Sequence, residues 1–307
     1  MAKQRRSLDG RVVAITGGAR GIGKATAEAL VRRGARVAIG DVDLALAEQT
    51  AAGLGGGSVA LALDVCDRGS FETFLDEAER QLGALDVMIN NAGIMPVTPF
   101  VEESEDSLRR QIDINLIGVI HGTQLAIGRM IPRNSGHIVN IASQAGKAGV
   151  PGIATYSATK HGVVGLSEAV RAELRGRDIE VSCVMPTVVN TELTAGVGQK
   201  WVKPVEATDV AEAIADALEV PRFDVFVPKA NGALLRVAAL MPRAAAEWLG
   251  RTMGTDKLMT EVDHAARAAY EQRAARSTAE GAPGDREDAT PGDGEGATPS
   301  ARRRLLS

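Results

Sequence analysis

Tyrosine and cysteine are nearly absent from this 307-residue chain, which holds two of each. Cys66 and Cys183 lie far apart, each in an apolar run, so they read as buried, inert thiols rather than a disulfide or metal ligands. That usage suits a reducing compartment, and a cytoplasmic protein is expected. No apolar run reaches the length that crosses a bilayer. Arg5 and Arg6 suggest a twin-arginine export signal, but a charged SLDGR segment follows, and the next apolar run, VVAIT, is too short for one. An excess of one charge is also missing. The 35 Lys and Arg against 39 Asp and Glu leave a formal charge of −4, with no chain-wide attraction to nucleic acid or anionic lipid. A globular protein remains, and its expected partner is a small molecule.

What the chain does have is alternation. RVVAIT, RVAIG, SVALAL, LDVMIN, HIVNIA, EVSCVM and FDVFV are short β-branched runs, and helical patterns separate them, among them 22–33, 44–53 and 70–82. Runs of this kind predict a seven-stranded parallel sheet with helices on both faces, an α/β doubly wound domain over residues 1–228. The pattern changes after residue 229. ALLRVAALMPRAAAEWLGRTM, residues 233–253, is helix-like, broken at Pro242, and has arginines among its apolar residues. A helical extension over 229–276 is expected to pack on the body or join subunits, with contact to a membrane surface by 233–253 as the lesser alternative. Residues 277–307 are rich in Gly, Pro and acidic residues, and a disordered tail is expected there.

TGGARGIG, residues 16–23, follows the first strand and opens the first helix, where backbone N–H groups are placed to receive a pyrophosphate. Gly17, Gly21 and Gly23 suit a tight turn, close approach of a ligand and packing on the sheet, with Arg20 and Ile22 between them. The spacing is G-x3-G-x-G, and taken alone it also fits a turn that binds nothing. Asp41 ends RVAIGD about twenty residues on, where a carboxylate accepts from an adenosine ribose and repels a 2′-phosphate. NAD is therefore expected over NADP, and Arg20 keeps NADP open as the alternative. Asp41 also suits a cap for the helix beginning at 43. Asp64 and Val65 end the third strand, and NNAG, with Asn91, Ala92 and Gly93, ends the fourth. Polar or small residues thus fall at three successive carboxyl ends of the sheet, the side on which ligands of such sheets bind.

Tyr156 and Lys160, in YSATK, stand one turn apart on a helix whose Val163, Leu166, Val170 and Leu174 recur at three- and four-residue intervals. A neighbouring ammonium favours the phenolate and a positively charged nicotinamide ring adds to the effect; bringing a phenol from about 10 toward neutrality takes about 4 kcal/mol of preferential interaction, which the two charges together can supply. Such a tyrosine exchanges a proton with a carbonyl or hydroxyl oxygen. Ser143 ends the fifth strand at the same sheet edge, where it can fix that oxygen. Asn115, polar among apolar neighbours in IDINLIG, is expected to hold a water that links Lys160 to solvent. Singly, each residue has an ordinary structural reading. All four occur downstream of a dinucleotide turn.

TGGARGIG, Asp64, NNAG, Asn115, Ser143 and YSATK, in this order, resemble the short-chain dehydrogenase/reductase family over about residues 8–228. The resemblance implies a Rossmann-type sheet and a catalytic set of Asn115, Ser143, Tyr156 and Lys160, with Lys160 and Tyr156 also at the nicotinamide ribose. It carries Pro186, Val189 and Thr191 into the cofactor site, although Thr187 stands where the family commonly has glycine. It further implies a dimer or tetramer joined through helices near 105–131 and 155–175. The three-residue Tyr–Lys interval favours carbonyl and alcohol chemistry over enoyl reduction.

The reaction expected is NAD-dependent hydride exchange between an alcohol and its ketone or aldehyde. Ile94, Met95, Val97, Val188, Leu193 and Trp201 are expected to flank the pocket, and their apolar character suggests a lipophilic secondary alcohol. A sugar-nucleotide epimerase is a rival, but it needs a larger C-terminal domain. A cofactor-binding sensor or scaffold is another, and it has no need of Ser143 or Tyr156.

Overall fold

The computed structural model describes residues 5–197, 203–252 and 262–275. Seven parallel strands form one sheet: β1 Val12–Thr16, β2 Arg36–Asp41, β3 Val59–Ala62, β4 Val87–Asn90, β5 Gly136–Ile141, β6 Ile179–Pro186 and β7 Asp224–Val227. Their spatial order is 3-2-1-4-5-6-7. Each of the seven apolar runs supplies one strand, because a parallel sheet covered on both faces buries successive residues on either side. Val13 and Ile15 enter one core layer with Leu30, Ile214 and Leu218, while Val12 and Ala14 enter the opposite layer with Phe71, Phe74 and Leu75. A small parallel ribbon, Val189–Asn190 with Val205–Glu206, lies apart from the main sheet.

The helices are α1 Gly21–Val31, α2 Leu44–Leu54, α3 Arg68–Leu82, α4 Glu105–Ile112, α5 Gly118–Met130, α6 Ala154–Glu173 and α7 Ala207–Glu219. The helix expected over 105–131 is present, with a local widening inside it. A wide turn over Asp113–Ile117 joins α4 to α5, and Asn115 sits inside it. Such local widening inserts a residue and re-aims its neighbours. Beyond the sheet come α8 Lys229–Leu240, α9 Arg243–Thr252 and α10 His264–Ala275. The break between α8 and α9 falls at Pro242, as the ring of proline requires. The expected tail, 277–307, lies outside the described residues, as does Trp201.

β1 pairs with β2 on one side and with β4 on the other. The chain therefore leaves β1 and β4 in opposite directions, and a crevice opens at their carboxyl ends. Among the described residues, no helix is long and apolar enough to cross a membrane, and no cluster of His, Cys, Asp and Glu could hold a metal ion. Both cysteines are free, and burial pushes each thiol up to about 12.

Candidate active site

The glycine turn is built on contacts that leave no room for side chains. A Cβ on Gly23 would lie 2.2 Å from the Gly17 carbonyl oxygen, and one on Gly17 would lie 2.9 Å from the Ala92 Cα. Gly17 and Gly21 take positive φ of 63° and 55°. Arg20 precedes α1 but makes no side-chain cap, so the first N–H groups of that helix are not claimed by it. A cradle too tight for any Cβ, before a helix start of this kind, fits a pyrophosphate.

Asp41 does not cap α2; Asp43 does, accepting from the Leu46 N–H at 3.2 Å. The Asp41 carboxylate instead accepts from the N–H groups of Ala19, at 3.1 Å, and Asp43, at 3.1 Å. It is thus fixed across the glycine turn, and burial holds its pKa above the ordinary carboxylate range despite those bonds. Arg20 turns toward acids of the chain itself: it meets Asp43 at 2.6 Å and Glu192 at 3.5 Å. Asp64 accepts from the N–H of Cys66, which shapes its own turn. The Asn91 amide donates to the carbonyls of Thr16 and Gly17, and so clamps the end of β4 to the glycine turn.

Ser143, Tyr156 and Lys160 converge from the end of β5 and the first turns of α6. Tyr156 and Lys160 are both buried. The Lys160 ammonium donates to the Ile141 carbonyl at 2.8 Å and lies 5.6 Å from the centre of the Tyr156 ring. The protein's own groups do not by themselves lower the phenol pKa; the expected lowering rests on Lys160 and a nicotinamide charge together. Burial pushes Tyr156 up to about 12, opposed only by a hydrogen bond with Ser143, and burial brings Lys160 down to about 8. Burial disfavours the charged form of both groups, raising the phenol and lowering the ammonium.

Asn115 is also placed otherwise than expected. Its amide donates to the Ile94 carbonyl at 2.8 Å and accepts from the Ile94 N–H at 2.8 Å, so the side chain is engaged at both ends rather than free to hold a water. It anchors the loop after β4.

One cavity of about 1000 Å³ unites these parts. Gly17, Arg20, Gly21, Ile22, Asp41, Asp64, Val65, Asn91, Ala92 and Gly93 line one end. Ser143, Tyr156, Lys160, Pro186, Val189 and Thr191 line the rest, with Thr187, whose N–H bonds the Val227 carbonyl. Gly23 and Asn115 stand behind the lining. Of the apolar residues expected at the pocket, Ile94, Met95, Val188 and Leu193 line it, while Val97 is packed in the core beside Met95.

Sequence reasoning missed the residues contributed from beyond the sheet: Asn231, Leu234, Leu235 and Ala238 of α8, and Tyr270, Arg273 and Ala274 of α10. The extension therefore packs over the body and adds to the cavity wall. Leu240 and Trp248 remain exposed on it. The scarcity of tyrosine was the one available signal for Tyr270.

The fold and site define a dinucleotide-dependent oxidoreductase. The sequence model of the short chain dehydrogenase family matches residues 11–201, and the chain belongs to that family. It is 40% identical over 195 residues to sorbitol dehydrogenase of Cereibacter sphaeroides, covering 63% of this chain and 76% of that one. It is 37% identical over 219 residues to the mitochondrial borneol dehydrogenase of Lavandula x intermedia, covering 68% and 83%. The crystal structure of a short-chain dehydrogenase/reductase from Burkholderia phymatum in complex with NAD is similar, with TM-score 0.71 and 27% identity over 76% of this chain and 94% of that one. The protein is accordingly an oxidoreductase of the CH–OH group that uses NAD(P).

Proposed function

We propose that this protein interconverts a lipophilic secondary alcohol and its ketone with NAD, using Tyr156 as the proton-exchanging acid or base. The observation that carries the reading is the convergence of Ser143, Tyr156 and Lys160 on the cavity that also receives the glycine turn and Asp41. The nicotinamide supplies the carbon that gives or takes the hydride. The cradle of Gly17, Gly21 and Gly23 would hold the pyrophosphate, Asp41 the adenosine ribose and Lys160 the nicotinamide ribose. Pro186, Val189 and Thr191 would border the ring.

The protein's own groups handle the proton. A phenol pushed up to about 12 keeps its proton at neutral pH and can give it to the oxygen of a carbonyl undergoing reduction. The alkoxide formed there is far more basic, so the transfer runs downhill. Ser143, already hydrogen-bonded with Tyr156, holds the same oxygen in place. Asn115 contributes indirectly by fixing Ile94 at the cavity wall.

NAD is favoured over NADP because two carboxylates, Asp41 and Asp43, end β2 and its turn, and Arg20 is already paired with Asp43. A 2′-phosphate would meet negative charge there. The substrate end is walled by Ile94, Met95, Val150, Ile153, Val188 and Leu193, with Leu234 and Leu235 from α8. Gln144, Thr187 and Asn231 add polar atoms to this wall, but most of it is apolar, which favours an apolar alcohol over a polyol that needs hydrogen-bond partners along its length. Pairing of two copies through α4, α5 and α6 is part of the proposal. A screen of alcohols and ketones of both kinds with NAD and NADP, read by nicotinamide absorbance, tests it. Turnover of borneol or a similar alcohol with NAD is expected, and activity confined to polyols would overturn the substrate class.

A further inference from the structure

Among the described residues, the largest fully buried side chain lies outside the site residues considered so far. Arg267 of α10 is fully buried. A guanidinium removed from water is costly unless its N–H groups are matched. They are matched here by the walls of the cavity. One terminal nitrogen donates to the Met95 carbonyl at 2.7 Å, and the other to the carbonyls of Leu193 at 3.0 Å and Ala195 at 3.1 Å. Its Nε donates to Glu271 at 3.0 Å, one turn along the same helix. The guanidinium also stacks near the Tyr270 ring, 5.0 Å from its centre.

Tyr270 completes the hold on the first loop. Its hydroxyl accepts from the Met95 N–H at 2.7 Å, so both backbone groups of Met95 are bound by α10. The second loop is held again at Gly196, whose carbonyl accepts from the Asp263 N–H at 2.9 Å. A Cβ on Gly196 would lie 2.4 Å from the Asp263 carbonyl oxygen, so the approach requires glycine. Met95 and Leu193 face the cavity directly.

We propose that Arg267 is a positioning residue for substrate size. It joins the loop after β4 to the loop after β6 and so fixes the far wall of the alcohol end, leaving the nucleotide end untouched. The inference rests on the alcohol dehydrogenase reading above. A lysine cannot replace it, because three carbonyls and one carboxylate are reached by a planar fork of donors, not by a single ammonium. A bulky alcohol touches this wall, whereas a small one sits near Ser143 and Tyr156.

The test compares wild type, Arg267→Lys and Tyr270→Phe, with borneol and 2-propanol as probes, NAD affinity by fluorescence titration, and hydrogen exchange at the Met95 amide. In Arg267→Lys the KM for borneol is expected to rise tenfold or more, at least five times the change for 2-propanol, with NAD affinity within twofold. Tyr270→Phe, which removes only the acceptor of the Met95 N–H, should move in the same direction by about threefold. Both should speed exchange at Met95. A KM for borneol within twofold of wild type in both variants would overturn the proposal, and so would equal losses for borneol, 2-propanol and NAD. If wild type turns over neither alcohol, the functional reading has failed separately. Exchange then decides the staple: faster at Met95 in both variants supports it, and unchanged exchange refutes it.

Discussion

Tyr156 and Tyr270, the only tyrosines in the chain, line the same cavity from α6 and from α10. Burial favours the protonated phenol in both. What separates them is the partner of each oxygen: Ser143 for Tyr156, the Met95 backbone for Tyr270. One hydroxyl lies in the cavity beside Ser143, and the other is tied into a wall.

Tyr156→Phe should lower turnover by at least about a hundredfold, the range expected when a positioned acid is removed. NAD affinity, read by fluorescence titration, should stay within about twofold. Activity within a few-fold of wild type would refute the proton-exchange role.

Asp41→Ala removes the acceptor of two backbone N–H groups and the charge opposing a 2′-phosphate. NAD binding should weaken by about 1–2 kcal/mol, roughly tenfold, and the preference over NADP should narrow. Calorimetric titration with both nucleotides measures it. An unchanged ratio would remove the ribose assignment.

Lys160 gives a pH signature. Its folded pKa is about 8 against an ordinary 10.5, so between these values the unfolded chain binds more protons than the folded one. Stability from this group therefore rises with pH across that window, by at most about 1.4 kcal/mol per pH unit, and its burden is fully present below pH 8. The slope of stability against pH in urea unfolding, from pH 7.5 to 10, should be more positive in wild type than in Lys160→Met, because the raised thiols and phenols contribute the opposite slope to both. Identical slopes would mean that the ammonium is not desolvated.

Gly23→Ala places a methyl 2.2 Å from the Gly17 carbonyl oxygen. It should cost about 1–3 kcal/mol of stability and impair NAD binding. Gly128→Ala, with nothing within 4 Å of its added Cβ and a place inside α5, should stabilise by up to about 1 kcal/mol. Thermal melts of the two variants should shift in opposite directions.

The sheet was legible because its strands are buried on both faces and so appear as unbroken apolar runs, such as VVAIT and VMIN. Ser143, Tyr156 and Lys160 were legible because strand ends and helix periodicity bring them to one edge. The uses of other polar side chains were not. Asn115, Asn91 and Asp64 hold neighbouring backbone, and Arg20 pairs with Asp43, none of which residue type or spacing reveals. The direction of the Tyr156 shift depends on desolvation, which a sequence does not display. α10 was hidden more fully: HAARAAYEQRAA has a weak apolar face, and its one fully buried side chain is an arginine.

Arg267 reaches Met95 across 172 positions of sequence, and it lies past the 11–201 stretch that defines the family. On the proposed reading, part of the alcohol selection is thereby written outside the stretch that carries the nucleotide chemistry. A lineage could exchange its final helix for another and inherit a new range of alcohols, while the hydride machinery passed through the change intact.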